Sequence, residues 1–275
     1  MSLVATLIPR GEEFTPPGPG DFNLPPIGPD KTFVFLGETM YLGVTKPIIM
    51  LVLSAVLIFV FFRAAAAKGA MVPGRLQFVG EQAYTSVRNG LGRDVIGSHD
   101  FQRFVPYLFT LFFFILLNNF FGSLPFIQFP TFSRSGMVYS LALLSWVIYN
   151  AAGIRAKGGL LKYLKHQCVP QGVPVAMLPL LIPLEFMSNI LVRPVTLALR
   201  LFANMLAGHI LLILFALGGE YLLVHGALAV KPVGVVAWLL FIAISFLELL
   251  VQFLQAYVFT LLNAMYISGA LSDEH

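Results

Sequence analysis

Residues 233–271 contain one charged side chain, Glu248, in about 39 positions, and residues 175–218 contain three, Glu185, Arg193 and Arg200, in about 44. A membrane helix needs about 20 residues at ~1.5 Å each to cross ~30 Å of hydrocarbon. As continuous helices the two runs would reach roughly 58 and 66 Å, so they bend sharply or lie far from the membrane normal. Pro179, Pro183 and Pro194 permit kinks in the earlier run, whereas nothing after Pro232 breaks the later one. The expected arrangement is a long, steeply tilted antiparallel helical hairpin over residues 175–271. Division of each run into two ordinary spans is the alternative.

Three further apolar runs, at 47–62, 104–127 and 137–154, bring the expected membrane helices to about five in an all-α, polytopic membrane protein. With 58% hydrophobic and 11% charged residues the chain lacks the polar surface of a soluble domain. The same deficit excludes a disordered chain, a coiled coil and a nucleic-acid-binding domain, despite a pI near 9.2. A single cysteine, Cys168, permits no intrachain disulfide and no multi-cysteine metal site. With no phosphate-cradling glycine loop and no HExxH, no cofactor or metal is expected.

Residues 1–45 are polar and broken by seven prolines from Pro9 to Pro29, which predicts an irregular tail ahead of one membrane domain spanning 46–275. The tail lacks a signal peptide's basic start and long apolar run, so it is expected to stay in the mature protein. Between the first two runs, Leu76, Val79, Ala83, Val87, Leu91 and Val95 recur every three or four residues among Arg75, Gln82, Arg88 and Arg93. That spacing predicts an amphipathic helix in the membrane interface. Of the 17 Lys and Arg, six fall in residues 63–103 and four in 155–167, which marks those loops as cytoplasmic. The tail then lies outside, and the C-terminal Ser272, Asp273, Glu274 and His275 end inside.

Glu185, Arg193, Arg200, His209 and Glu248 stand within the two long runs. A charge at mid-bilayer costs at least ~2.5 kcal/mol, so such groups default to function. Arg stays charged while Glu and His titrate, which divides the set into a fixed cation and proton stations. Partners across an antiparallel hairpin have a constant residue-number sum. Arg200 with Gln255, Asn204 with Gln252, and His209 with Glu248 give sums of 455, 456 and 457. Yet Arg200 and His209, nine residues apart, fall on opposite faces of an ideal helix, so Arg200 is expected to look toward a different partner. Plainer readings stand beside these. Arg200 with Glu248 would serve as structural glue, Arg193 as an anchor, and Asn204, Gln252 and Gln255 as helix–helix hydrogen-bond formers. Glu220 and His225 are expected in a solvated outer loop, and His99 and His166 in basic loops.

Two stretches, RPVTLALRLFANMLAGHILL at 193–212 and LQAYVFTLLNAMYIS at 254–268, together with NNFFGSLP at 118–125, resemble the subunit a family of the F-type ATP synthases. The resemblance covers roughly residues 40–275. It implies a stator subunit beside a ring of c subunits, with b-type peripheral stalk subunits and the rest of the F1Fo complex as further partners. Arg200 matches the family's essential arginine, which attracts a deprotonated ring carboxylate and blocks a direct leak. Asn204 and Gln255 match its polar neighbours, and Gln252 lies on the same seam. His209 and Glu248 match the ionisable pair of the outer half-channel. Glu185 resembles the acidic residue of the inner one, although it stands one position further from Arg200 than the family spacing. The resemblance implies no nucleotide site in this chain, and several protons per ATP at about 2.3 kcal/mol per charge per 100 mV. The setting it implies is an energy-transducing membrane, a bacterial plasma membrane rather than a mitochondrial inner one. Read without the resemblance, an ion-coupled secondary transporter would also use buried Glu, His and Arg.

Overall fold

The computed structural model describes residues 14, 16–18, 32–35, 38–41, 45–67, 69–98, 100–124, 131–169 and 177–272. Most of the 1–45 tail, His99, Pro125, Val175 and the terminal Asp273, Glu274 and His275 lie outside the described residues. Among those described, five helical stretches are long and apolar enough to cross a membrane: Lys46–Ala66, Phe101–Ser123, Ser135–Lys157, Leu178–Val224 and Lys231–Leu271. The structure is an all-α polytopic membrane fold, apart from one small hairpin in the tail. There β1 (Thr32–Phe35) pairs antiparallel with β2 (Glu38–Tyr41), Thr32 opposite Tyr41 and Phe35 opposite Glu38. The proline-dense stretch that suggested irregularity ends at Pro29, and TFVF and ETMY carry the β-branched and aromatic residues that suit strands.

The chain forms two compact units, one of Met1–Val52, Asn118–Ser133 and Ala203–Leu254, the other of Leu53–Leu117, Arg134–Phe202 and Gln255–His275. Long helices run through both: α1 (Lys46–Ala66), α4 (Phe101–Ser123), α8 (Arg193–Val224) and α9 (Lys231–Leu271).

In the second unit the expected interfacial helix is present as α2 (Arg75–Ser86), continued by a π-helical stretch Val87–Arg93 and the short α3 (Asp94–Ile96). Its stripe divides along its length. Val87 and Leu91 are buried, whereas Leu76 and Val79 are exposed, as an interfacial helix requires of the residues it offers to lipid. Helix α5 (Ser135–Lys157) ends at Gly158, whose φ of 71° and ψ of 30° need a residue without Cβ. That turn brings in α6 (Leu160–Cys168), whose Tyr163 hydroxyl donates to Asn150 Oδ1 at 2.9 Å. Then α7 (Leu178–Phe186) leads through a π-helical stretch, Met187–Val192, directly into α8. Pro194 has no N–H to give the carbonyl of Ile190, four residues back, and the Trp146 indole N–H donates to that oxygen instead at 2.8 Å. The carbonyl that the proline leaves without a donor is thereby satisfied from a neighbouring helix.

In the first unit α8 and α9 run antiparallel on either side of a turn at residues 225–230. A Cβ on Gly219 would stand 2.6 Å from Trp238, one on Gly234 would stand 2.8 Å from Leu223, and one on Gly208 would overlap the Glu248 carboxylate. The residue-number sums are 457, 457 and 456, the register that the polar residues of the sequence require. Neither long run is divided into two spans. At 41 residues α9 is about 61 Å long, twice the hydrocarbon thickness, so it lies steeply across a bilayer.

Candidate functional site

The first unit buries an unusual number of polar side chains. Glu248 is 5% exposed, His209 6% and Gln252 1%, and the adjacent Asn118 and Asn119 of α4 are fully buried. A carboxylate at that depth is tolerable only if hydrogen-bonded. Gln252, one turn on, supplies the bond: its Nε2 donates to Glu248 Oε1 at 3.2 Å. Gln252 is itself held at three points by α4. Asn119 Nδ2 donates to its backbone carbonyl at 3.0 Å, Ser123 Oγ donates to its Oε1 at 3.1 Å, and its Nε2 donates back to Ser123 Oγ at 2.8 Å. Gly208 makes room for the carboxylate, since any side chain there would collide with it. A cavity of about 450 Å³ opens beside this group, lined by Ser123, His209, Leu212, Ile213, Ser245 and Leu249 among others. A titratable pair, a polar relay and a space large enough for water thus occur together within one unit.

The second unit holds Glu185, half-buried on α7. It repeats the local pattern, because Asn189, four residues on, donates from Nδ2 to Glu185 Oε2 at 2.9 Å. The same Nδ2 also donates to the Gln167 carbonyl of α6 at 2.9 Å. Next to Gln167, the Cys168 thiol lies outside the membrane-spanning segments, and burial first and the charge of Glu185 second push its pKa up. Arg193 stacks its guanidinium over the Tyr266 ring at 5.1 Å. Gln255 is buried on α9.

Along α8 from residue 193 to residue 212 the exposed positions are Val195, Thr196, Leu199 and Arg200 up to residue 202, and Ala203, Asn204, Ala207 and Leu211 from there on. The buried ones are Leu197, Ala198 and Leu201, then Met205, His209 and Leu212. Nine residues at 100° each turn the helix through two and a half revolutions, so His209 faces inward while Arg200 and Asn204, one turn apart, face out. An arginine left on an apolar helix among small and aliphatic neighbours has no lipid to suit it.

The protein family described as ATP synthase A chain matches residues 48–268. The chain belongs to that family. Three relatives, each called ATP synthase subunit a, span most or all of it. One from a Nocardioides species is 68% identical over 100% of both chains. One from Pseudarthrobacter chlorophenolicus is 47% identical over 99% of this chain and 100% of its own. One from Streptomyces lividans is 36% identical over 95% of this chain and 89% of its own. Three side chains, Asn119, Ser123 and Asn189, and the space at Gly208 escaped the sequence reading. The available signal was an amide four residues after each buried carboxylate, Asn189 after Glu185 and Gln252 after Glu248.

Proposed function

We propose that the chain is the stationary proton-conducting subunit of a bacterial F-type ATP synthase, with two offset half-channels that serve carboxylates on a rotating c-subunit ring. The division of α8 into two faces carries this reading. Arg200 and Asn204 are turned outward, where a passing carboxylate can meet them, while His209 is buried and lines the cavity that Ser123 also lines. A fixed cation attracts an ionised carboxylate and repels a hopping proton. Protons reaching Glu248 and His209 from the outer side therefore leave that pocket only by neutralising a ring carboxylate, and Glu185 with Asn189 receives them toward the cytoplasm. Gln255 on α9 assists Arg200, and Gln252 supports Glu248. Flow through such a path obliges the ring to turn.

In this reading residues 46–275 act as one membrane domain whose 175–271 hairpin faces the rotor. The tail lies outside the plasma membrane and the C-terminus in the cytoplasm. The remaining surface serves lipid, b-type stalk subunits and the rest of the F1Fo complex. The catalytic nucleotide sites belong to other subunits. Arg200→Ala in the intact complex, reconstituted into vesicles, tests the role. Proton-driven ATP synthesis falls to background while the complex still purifies whole; a normal synthesis rate would refute it.

A further inference from the structure

Glu248 must exist both charged and neutral if it is a proton station, and it does so where almost no solvent reaches it. A carboxylate needs a donor opposite it, whereas a carboxylic acid donates its own proton and needs an acceptor. The group opposite is the side-chain amide of Gln252, which carries a donor at one end and an acceptor at the other. The terminal torsion of a glutamine is soft and roughly two-fold, so turning the amide over exchanges the two ends at small intrinsic cost. The obstacle is whatever holds the far end. A backbone carbonyl there would accept only from Nε2, and a backbone N–H would donate only to Oε1. A hydroxyl does either. Ser123 Oγ lies across the amide edge of Gln252, 3.1 Å from Oε1 and 2.8 Å from Nε2, within hydrogen-bond distance of both.

We propose that Ser123 is a positioning residue of the proton path, whose hydroxyl lets the Gln252 amide face Glu248 with its nitrogen or with its oxygen, so that the carboxyl stays hydrogen-bonded in both protonation states. With Glu248 ionised, Nε2 donates to the carboxylate and the Ser123 O–H donates to Oε1. With Glu248 neutral, its O–H donates to Oε1 and Nε2 donates to Ser123 Oγ. Each state has the same number of bonds across the triad, the amide gains and loses no proton, and the proton on Glu248 comes from outside the triad. The bond from Asn119 to the Gln252 carbonyl fixes the main chain while the side chain turns. Near Glu248, α8 brings His209 as the titratable neighbour, and the end of α4 brings the neutral Asn118, Asn119 and Ser123. Ser123 is partly exposed to the cavity, which leaves space for one more methyl group.

This inference rests on the reading of Glu248 as a proton station, and the test separates the two. The measurement is proton flux, read as ATP synthesis per assembled complex in proteoliposomes under an imposed potential, with the amount of purified complex as the count. Ser123→Thr keeps the hydroxyl and Ser123→Val has the same shape without it. The expected result is flux within about twofold of the parent for Thr and a fall of about fivefold to tenfold for Val, the worth of one buried hydrogen bond. Equal fluxes for Thr and Val would show that only volume matters at 123 and would overturn the proposal. Glu248→Gln in the same assay reports on the station itself. Lost flux there with Thr and Val alike sinks the amide switch alone, whereas unchanged flux there sinks both.

Discussion

Glu185 and Glu248 are the same device set differently. Each carboxylate accepts a hydrogen bond from an amide four residues further along its helix, Asn189 in one unit and Gln252 in the other. What differs is the far end of the amide. Asn189 donates to the Gln167 backbone carbonyl, which can only accept, so its nitrogen is committed and its orientation is fixed. Gln252 meets a hydroxyl, and its orientation is reversible. Burial differs in the same sense. Half-buried Glu185 keeps part of its surface free of protein, whereas Glu248, 5% exposed, depends on protein groups for nearly every bond. The less solvent a titrating group has, the more adaptable its fixed partners must be.

The largest expected effect breaks or confirms that contrast directly. Glu248→Gln lowers proton flux through the assembled complex about a hundredfold, the lower range for loss of a positioned proton-transfer group. Glu185→Gln, with water able to stand in, lowers it about tenfold or less. Flux assays on vesicles of matched complex content read both. Equal losses would show that solvent access does not distinguish the stations.

Gly208→Ala perturbs the buried station without removing it. The added Cβ meets the end of the Glu248 side chain, which can swing aside, so the complex assembles normally. The carboxylate is then displaced from Gln252. Misplacement by about 1 Å is enough to cost well over tenfold in a proton or group transfer, and the expected loss here is about tenfold, less than deletion of the group. Parental flux in Gly208→Ala would mean that the Glu248–Gln252 contact has no part in transfer.

The features legible in the sequence were those that repeat along one helix. The 3.6-residue period placed Arg200 and His209 on opposite faces of α8, and the constant sum over polar pairs gave the register of α8 against α9, because both are arithmetic on a regular geometry. The β1–β2 hairpin was hidden behind the prolines that precede it. What stayed out of reach was any partner distant in sequence. Trp146 caps the Ile190 carbonyl left by Pro194 across 44 residues, and Ser123 meets Gln252 across 129. Nothing local to a tryptophan or a serine announces such a role. The carboxylate-then-amide repeat was visible in principle, but in isolation it reads as a pair of helix-surface hydrogen bonds worth a few tenths of a kcal/mol.

Cys168 offers the finest probe of the comparison, because it is the only cysteine and it stands beside one station and not the other. Alkylation proceeds through the thiolate, so its rate at fixed pH falls as the thiol pKa rises. Burial is the larger cause of the upward shift and the Glu185 carboxylate the second. Glu185→Gln keeps the side-chain shape and removes the charge, so the burial contribution stays while the electrostatic one goes. The thiol becomes more acidic, and maleimide labelling at pH 8 speeds up. Glu248→Gln, altering the other station, leaves the labelling rate as it was. If both variants label at the parental rate, the charge of Glu185 is already screened by water at the distance of Cys168. Its station is then wetter than its partial burial suggests, and the contrast with Glu248 sharpens further.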